Sequence, residues 1–193
     1  MREIDLRGLK CPEPVIRTKK ALEDLDDDII VSIVDNVTAK ENVIRLVSNL
    51  NLKYEIEEKD NCFYISIEKT NGNIKVVEAE GNEIAIVITN DKLGAGNYEL
   101  GKVLMKSYLY ALTESYPMPK VIMFLNAGVK LTTEGSDVLD NLEKLVDGGT
   151  EIISCGTCLD FYGLKEKLKV GIIGNMYTIV EKMNSAGKVI NIG

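Results

Sequence analysis

The chain reads as an α/β protein in two parts. The first is a two-layer β-α-β-α-β-β sandwich and the second a doubly wound, mostly parallel α/β domain. Three observations predict this. Strand-like and helix-like patterns alternate along the whole chain. Apolar and polar residues alternate in Leu52 to Glu58, as in a half-buried strand, whereas Glu83-Ile84-Ala85-Ile86-Val87-Ile88-Thr89 is nearly continuously apolar, as in a parallel sheet covered on both faces. Between these parts, residues 71–82 form a polar, turn-rich break. The expected division is therefore 1–70, a linker at 71–82, and 83–193, which suits a chain of 193 residues.

In the first part, Ile4 and Leu6 alternate with Glu3 and Asp5, a short strand. Arg7-Gly8-Leu9-Lys10 is a turn in which Gly8 is free to take positive φ. A helix is expected from about Pro12 to Leu25, because Val15, Ile16, Leu22 and Leu25 recur at helical spacing. Asp26-Asp27-Asp28 is a solvated acidic turn, and Ile29 to Val34 a buried strand. Thr38 with Glu41 three residues on makes a capping-box pattern before a helix whose inner face is Ala39, Val43, Leu46, Val47 and Leu50. Tyr54 and Ile56 share one face of the next strand. Cys62 to Lys69 follows as another, with Phe63, Ile65 and Ile67 inward and Cys62 on the opposite face as a structural cysteine.

The most informative stretch of this part is Cys11-Pro12-Glu13-Pro14. Proline is tolerated in the first turn of a helix, where its missing N–H costs nothing. Cys11 is thus expected just ahead of a helix, where free N–H groups and the helix dipole stabilise a thiolate and make it a nucleophile. The plain alternative is a small buried cysteine beside a proline-started helix.

In the second part, Gly94-Ala95-Gly96 lies between a strand and a helix. It lacks the Gly-x-Gly-x-x-Gly fingerprint and a Walker lysine, so a structural turn is expected. The helix from Tyr98 to Ser115 is expected to face inward with Leu100, Val103, Leu104, Tyr108 and Leu112. Val121 to Leu125 is a second strand and Asn126-Ala127-Gly128 a loop. Ser136 is expected to cap a helix through Val146 with Leu139, Leu142, Leu145 and Val146 inside, ended by Gly148-Gly149. Thr150 to Ser154 is a third strand, Lys169 to Asn175 a loop, Met176 to Ser185 the last helix, and Lys188 to Ile192 the last strand.

Cys155 follows the third strand directly, at the carboxyl edge where ligands and reactive groups gather in such sheets. With Cys158 it forms a Cys-x-x-Cys pair, open to a disulfide, a persulfide with a resolving thiol, or half of a metal site. Zinc fits poorly, because Cys11 and Cys62 are isolated and the chain has no histidine. The same absence excludes Ser-His-Asp and Cys-His nucleophile systems. No cofactor and no metal is expected. The net charge of −7 argues against nucleic-acid or anionic-membrane binding, and there is neither a membrane-length apolar run nor a secretory h-region. A cytoplasmic location with reduced thiols is expected.

Asp5-Leu6-Arg7-Gly8-Leu9-Lys10-Cys11-Pro12-Glu13-Pro14 resembles the signature of the TusA/SirA-like sulfur-carrier family, over about residues 1–70. Residues 83–193 resemble the DsrE/DsrF-like family through the Asn90-Asp91 loop and Ile153-Ser154-Cys155-Gly156-Thr157-Cys158-Leu159-Asp160-Phe161-Tyr162-Gly163-Leu164. The two in this order resemble the YedF group of sulfurtransferase-like selenium metabolism proteins. The resemblance implies that Cys11 carries a persulfide sulfur, or selenium, supported by the motif residues Gly8, Pro12, Glu13 and Pro14. It also implies that Cys155 accepts that atom, with Cys158 beside it. The implied partners are a cysteine desulfurase or selenocysteine lyase as donor, a downstream chalcogen-accepting protein, and further copies of the chain through the DsrE-like half. Two other readings stand beside it: a noncatalytic interaction or regulatory module, and a Cys155/Cys158 thiol redox switch.

Overall fold

The computed structural model describes residues 1–10, 12–24, 28–69 and 83–193, apart from the side chains of Arg45 and Asn49. The expected linker at 71–82, the helix end at Leu25 and the acidic residues Asp26 and Asp27 lie outside the described residues, and so does Cys11. The chain divides into two compact units, Met1–Val76 and Val77–Gly193.

The first unit runs β1 (Arg2–Asp5), α1 (Glu13–Glu23), β2 (Ile29–Val34), α2 (Val37–Asn49), β3 (Lys53–Lys59) and β4 (Cys62–Glu68). Its sheet has the order β1-β2-β4-β3, with β1 parallel to β2 and the other pairs antiparallel. The register puts Ile30, Ser32 and Val34 opposite Ile67, Ile65 and Phe63. These close a core with Leu22 of α1 and Val43 and Val47 of α2. Each such aliphatic side chain contributes roughly 1.5–3 kcal/mol on burial. The one polar pair in this layer is satisfied: Thr18 and Ser32 hydroxyls lie 3.0 Å apart, and Thr18 donates to the Pro14 carbonyl at 2.9 Å. β3 is an edge strand, so Ile56 stays exposed although it shares the face of Tyr54.

Asn36, not Thr38, caps α2. Its backbone is extended and its side-chain oxygen accepts from the Ala39 N–H at 2.8 Å. The helix begins at Val37, so Thr38 lies inside its first turn and not at the cap position.

The second unit runs β5 (Ile84–Ile88), α3 (Tyr98–Thr113), β6 (Val121–Phe124), a 3-10 segment (Asn126–Thr132), α4 (Leu139–Asp147), β7 (Glu151–Cys155), α5 (Gly156–Phe161), a 3-10 turn (Lys165–Lys167), β8 (Ile172–Gly174), α6 (Met176–Ser185) and β9 (Lys188–Ile192). The five strands are all parallel, in the order β8-β7-β6-β5-β9. The chain steps outward from β5 to β8 and then returns across the sheet to β9. Right-handed crossovers therefore put α3 and α4 on one face and α6 on the other. Every residue of β6 is buried, as the continuous apolar run requires.

Three expectations change here. α3 is rotated from the expected face: Gly101, Met105 and Leu109 are buried, Tyr108 and Leu112 are half-buried, and Leu100, Val103 and Leu104 are exposed. The cause is Gly101. A Cβ there would stand 3.0 Å from Lys92 Cβ and 3.2 Å from the Leu93 carbonyl oxygen, so a side chain would sit on that turn only if Lys92 and Leu93 gave way by a few tenths of an ångström. Second, α4 begins at Leu139 without a side-chain cap. Ser136 instead accepts from Val138 N–H at 3.4 Å, and Val146 is exposed. Third, the expected loop at 169–175 contains β8, whose Gly174 pairs with Cys155.

Candidate functional site

Each unit brings its described sequence-predicted residues to one edge of its own sheet. In the first unit this is the carboxyl end of β1 and β2. Leu6 is buried and anchors the chain as it leaves β1. Arg7 turns back onto Asp5 with two contacts of 2.8 and 2.7 Å, and this holds the Asp5 carboxyl down at about 2. Arg7 also reaches the thiol of Cys62, which is buried at the start of β4. Gly8 takes φ 73°, as expected, and its N–H donates to Asp35 at the end of β2 at 2.8 Å. Asp35 is held below the ordinary carboxylate range by that N–H first and by Asn36 second. The turn is thereby tied to both parallel strands.

Beyond it, Pro12 occupies the N-cap position of α1, Glu13 opens the helix, and Pro14 is buried in its first turn. The Lys10 carbonyl accepts from Glu13 N–H at 2.9 Å, and the Pro12 carbonyl accepts from Val15 and Ile16. The sequence positions on both sides of Cys11 therefore belong to a helix start. Arg17 is engaged with Glu13 at 2.8 Å. A cavity of about 40 Å³ lies between Leu9, Pro14, Val15 and the first turn of α2 at Thr38 and Ala39.

In the second unit, Cys155 is the last residue of β7 and the N-cap residue of α5, and it is 2% exposed. Cys158 lies one helical turn later and is partly exposed. Both are free thiols, as is Cys62. The Cys158 sulfur also accepts the main-chain N–H of Asn126 at 3.1 Å. Burial raises its pKa first, and the neighbouring Cys155 adds to that. The Asn126 N–H opposes them by stabilising the thiolate.

Sequence reasoning missed three residues of this site. The Asn126 side chain accepts from the Tyr162 hydroxyl at 3.0 Å. Lys130 Nζ stands 4.8 Å from the Tyr162 ring centroid and 3.8 Å from Asp91 Oδ2. With Asp91, these residues come from the segments after β5, β6 and β7, three neighbouring parallel strands. The signal that could have pointed to them was the carboxyl-edge rule applied to every loop and not to the cysteines alone. Gly94-Ala95-Gly96 belongs to the turn before α3, where Asn97 caps Leu100 N–H at 3.0 Å. Among the described residues no cluster of three or more metal-ligating side chains occurs, and no helix is long and apolar enough to cross a membrane.

Residues 2–69 match the family described as sulfurtransferase TusA, and residues 82–192 match the DsrE/DsrF-like family. A protein of Methanocaldococcus jannaschii named as a candidate sulfur carrier is 38% identical over 71 residues, which cover 36% of this chain and 95% of that protein. A similarly named protein of Archaeoglobus fulgidus is 39% identical over 51 residues, or 26% of this chain and 66% of its own length. Among solved structures, a SirA-like protein of Desulfitobacterium hafniense is 34% identical, covers 35% of this chain and 96% of its own, and superposes with a TM-score of 0.34. The ychN protein of E. coli is 20% identical, covers 57% and 98%, and gives a TM-score of 0.46. The chain belongs to the DsrE/DsrF-like family through residues 82–192, fused behind a sulfurtransferase TusA family unit at residues 2–69.

Proposed function

We propose that this chain is a sulfur carrier that passes cysteine-bound persulfide sulfur from a donor enzyme to an acceptor. The observation that carries the reading is the placement of Cys155 and Cys158 one helical turn apart at the carboxyl edge of the parallel sheet, in a chain whose other half belongs to the TusA family. Cys11, ahead of a helix opened by Pro12, Glu13 and Pro14 and preceded by the Gly8 turn, is the entry thiol. A cysteine desulfurase loads it as Cys11–S–SH.

The thiolate of Cys155 then attacks the outer sulfur. The Cys11 sulfur–sulfur bond breaks, Cys11 leaves as thiolate, and the proton stays on the transferred sulfur. Cys158 thiolate next attacks the inner sulfur of Cys155–S–SH. Hydrosulfide departs to the acceptor protein as the Cys155–Cys158 disulfide closes, and a dithiol reductant restores both thiols. No histidine takes part, since the chain has none. In selenium metabolism, the role of the group the chain resembles, a selenocysteine lyase loads Cys11–S–SeH and the same steps follow. The chain acts in the cytoplasm and self-associates through its DsrE-like unit.

The test is mass spectrometry of the intact chain and its cysteine peptides after incubation with a cysteine desulfurase and cysteine, or a selenocysteine lyase and selenocysteine. Wild type is compared with Cys11→Ser, Cys155→Ser and Cys158→Ser. The reading expects one added sulfur or selenium on Cys11, and accumulation on Cys155 when Cys158 is absent. Uptake by no cysteine from either donor, with ready oxidation of Cys155 and Cys158, would replace it by a second reading: a dithiol redox switch, which the placement of two free thiols one helical turn apart favours.

A further inference from the structure

Asn126 is the first residue beyond the β6 end of the sheet edge after Leu125, and its φ is 47°. That left-handed conformation is uncommon for a residue with a side chain, although asparagine reaches it more readily than most. The Asn126 N–H donates to the Cys158 sulfur, 3.1 Å away. A thiol sulfur is a weak acceptor, whereas an ionised acceptor makes a much stronger hydrogen bond. The contact therefore gains most when the sulfur is anionic. On the other side of Asn126, the carboxamide oxygen is held by the Tyr162 hydroxyl at 3.0 Å. Tyr162 stands just after α5, the helix that carries Cys158, so the two bonds close a ring between that helix and the β6 loop.

We propose that Asn126 and Tyr162 are positioning residues for Cys158: the Tyr162 hydroxyl anchors the Asn126 side chain and so keeps the Asn126 main-chain N–H on the Cys158 sulfur in its anionic form. The inference rests on the carrier reading for its purpose, in which Cys158 acts as a thiolate. The charged and titratable groups around the ring are Cys155 from β7, Lys130 over the Tyr162 ring, Asp91 beside Lys130, and the Asp160–Lys165 pair at 3.2 Å. Apart from Cys155 these charges face one another: Lys130 is balanced by Asp91 and Lys165 by Asp160. The N–H is thus the favourable group that touches the sulfur directly among the described contacts. A ring that served the fold alone would leave the acidity of Cys158 unchanged when opened.

The test uses the full chain with Tyr162→Phe, which removes only the hydroxyl, and Asn126→Gly, which keeps the N–H and tolerates the backbone angle. The rate of iodoacetamide alkylation of Cys158 is followed against pH by peptide mass spectrometry, with Cys155 as internal control. The expected result for Tyr162→Phe is a Cys158 profile shifted to higher pH, with labelling slowed roughly three- to tenfold at pH 8. Cys155 labelling and the melting temperature stay at their wild-type values, and Asn126→Gly shifts Cys158 in the same direction. An unchanged Cys158 profile in Tyr162→Phe would overturn the proposal. So would slowing of both cysteines together with a fall in melting temperature. No sulfur donor enters this measurement. A shifted profile in a chain that takes up no sulfur would support the clamp and remove the carrier reading.

Discussion

Cys158 carries a thiol pulled in two directions. Burial and the neighbouring Cys155 favour its protonated form, and the Asn126 N–H favours the thiolate; the first two prevail. Alkylation of Cys158 should therefore reach half-maximal rate above the ordinary cysteine range near about pH 8.5. Cys155→Ala, which removes one of the raising neighbours, should move it down, a shift read by the same labelling. The linkage to stability has a definite sign. A folded-state pKa above the unfolded value means that the native state holds the proton longer. The contribution of Cys158 is then present below about pH 8.5 and lost as pH rises through its folded pKa. Denaturant melts at pH 7 and pH 10, compared between wild type and Cys158→Ala, measure it. Asp5 runs the other way: with its pKa lowered to about 2, the Arg7 pair supports the fold above the usual carboxylate range and fails as pH falls through about 2.

α3 shows where a sequence pattern stops being decisive. Leu100, Val103 and Leu104 form one apolar stripe, and Met105, Tyr108, Leu109 and Leu112 form another. Helical periodicity cannot choose between them, because both recur at three and four residues. The choice is made by the tight seat of Gly101 against Lys92 and Leu93, a contact between residues that no periodicity encodes. Gly101→Ala should therefore fail to give the roughly 1 kcal/mol that alanine normally brings to a helix interior. Leu109→Ala, fully buried, should cost about 2–5 kcal/mol, whereas Val103→Ser should stay within about 0.5 kcal/mol. Urea unfolding reads all three. The strands were legible for the opposite reason. Ile84 to Ile88 and Val121 to Phe124 are continuous apolar runs, and only a sheet covered on both faces buries such runs. β8 was not legible, since three residues ending in glycine are too few to show a pattern; it is the pairing of Gly174 with Cys155 that makes them a strand. The cysteines of the candidate site stood out by type and spacing. Asn126, Tyr162 and Lys130 did not, because ordinary polar residues in loops acquire a role only through the strands that bring them together.

At the level of the chain, the cysteines of the proposed relay are divided between two compact units: Cys11 in the first, Cys155 and Cys158 in the second. Fusion of the two would make handover a property of one molecule, since a tethered partner is present at a high effective concentration. The proposed self-association predicts a sedimentation species larger than the 21.3 kDa monomer at micromolar concentration, and a monomer throughout would speak against it. The most direct test of the central claim is a single-turnover chase. The chain is loaded with one equivalent of radioactive persulfide sulfur from a desulfurase, and the Cys11 and Cys155 peptides are followed in time in wild type, Cys11→Ser and Cys158→Ser. The account predicts that label appears on Cys11 first, declines as it rises on Cys155 in Cys158→Ser, and never reaches Cys155 in Cys11→Ser. Label arriving on Cys155 at the same rate with Cys11 replaced would contradict it.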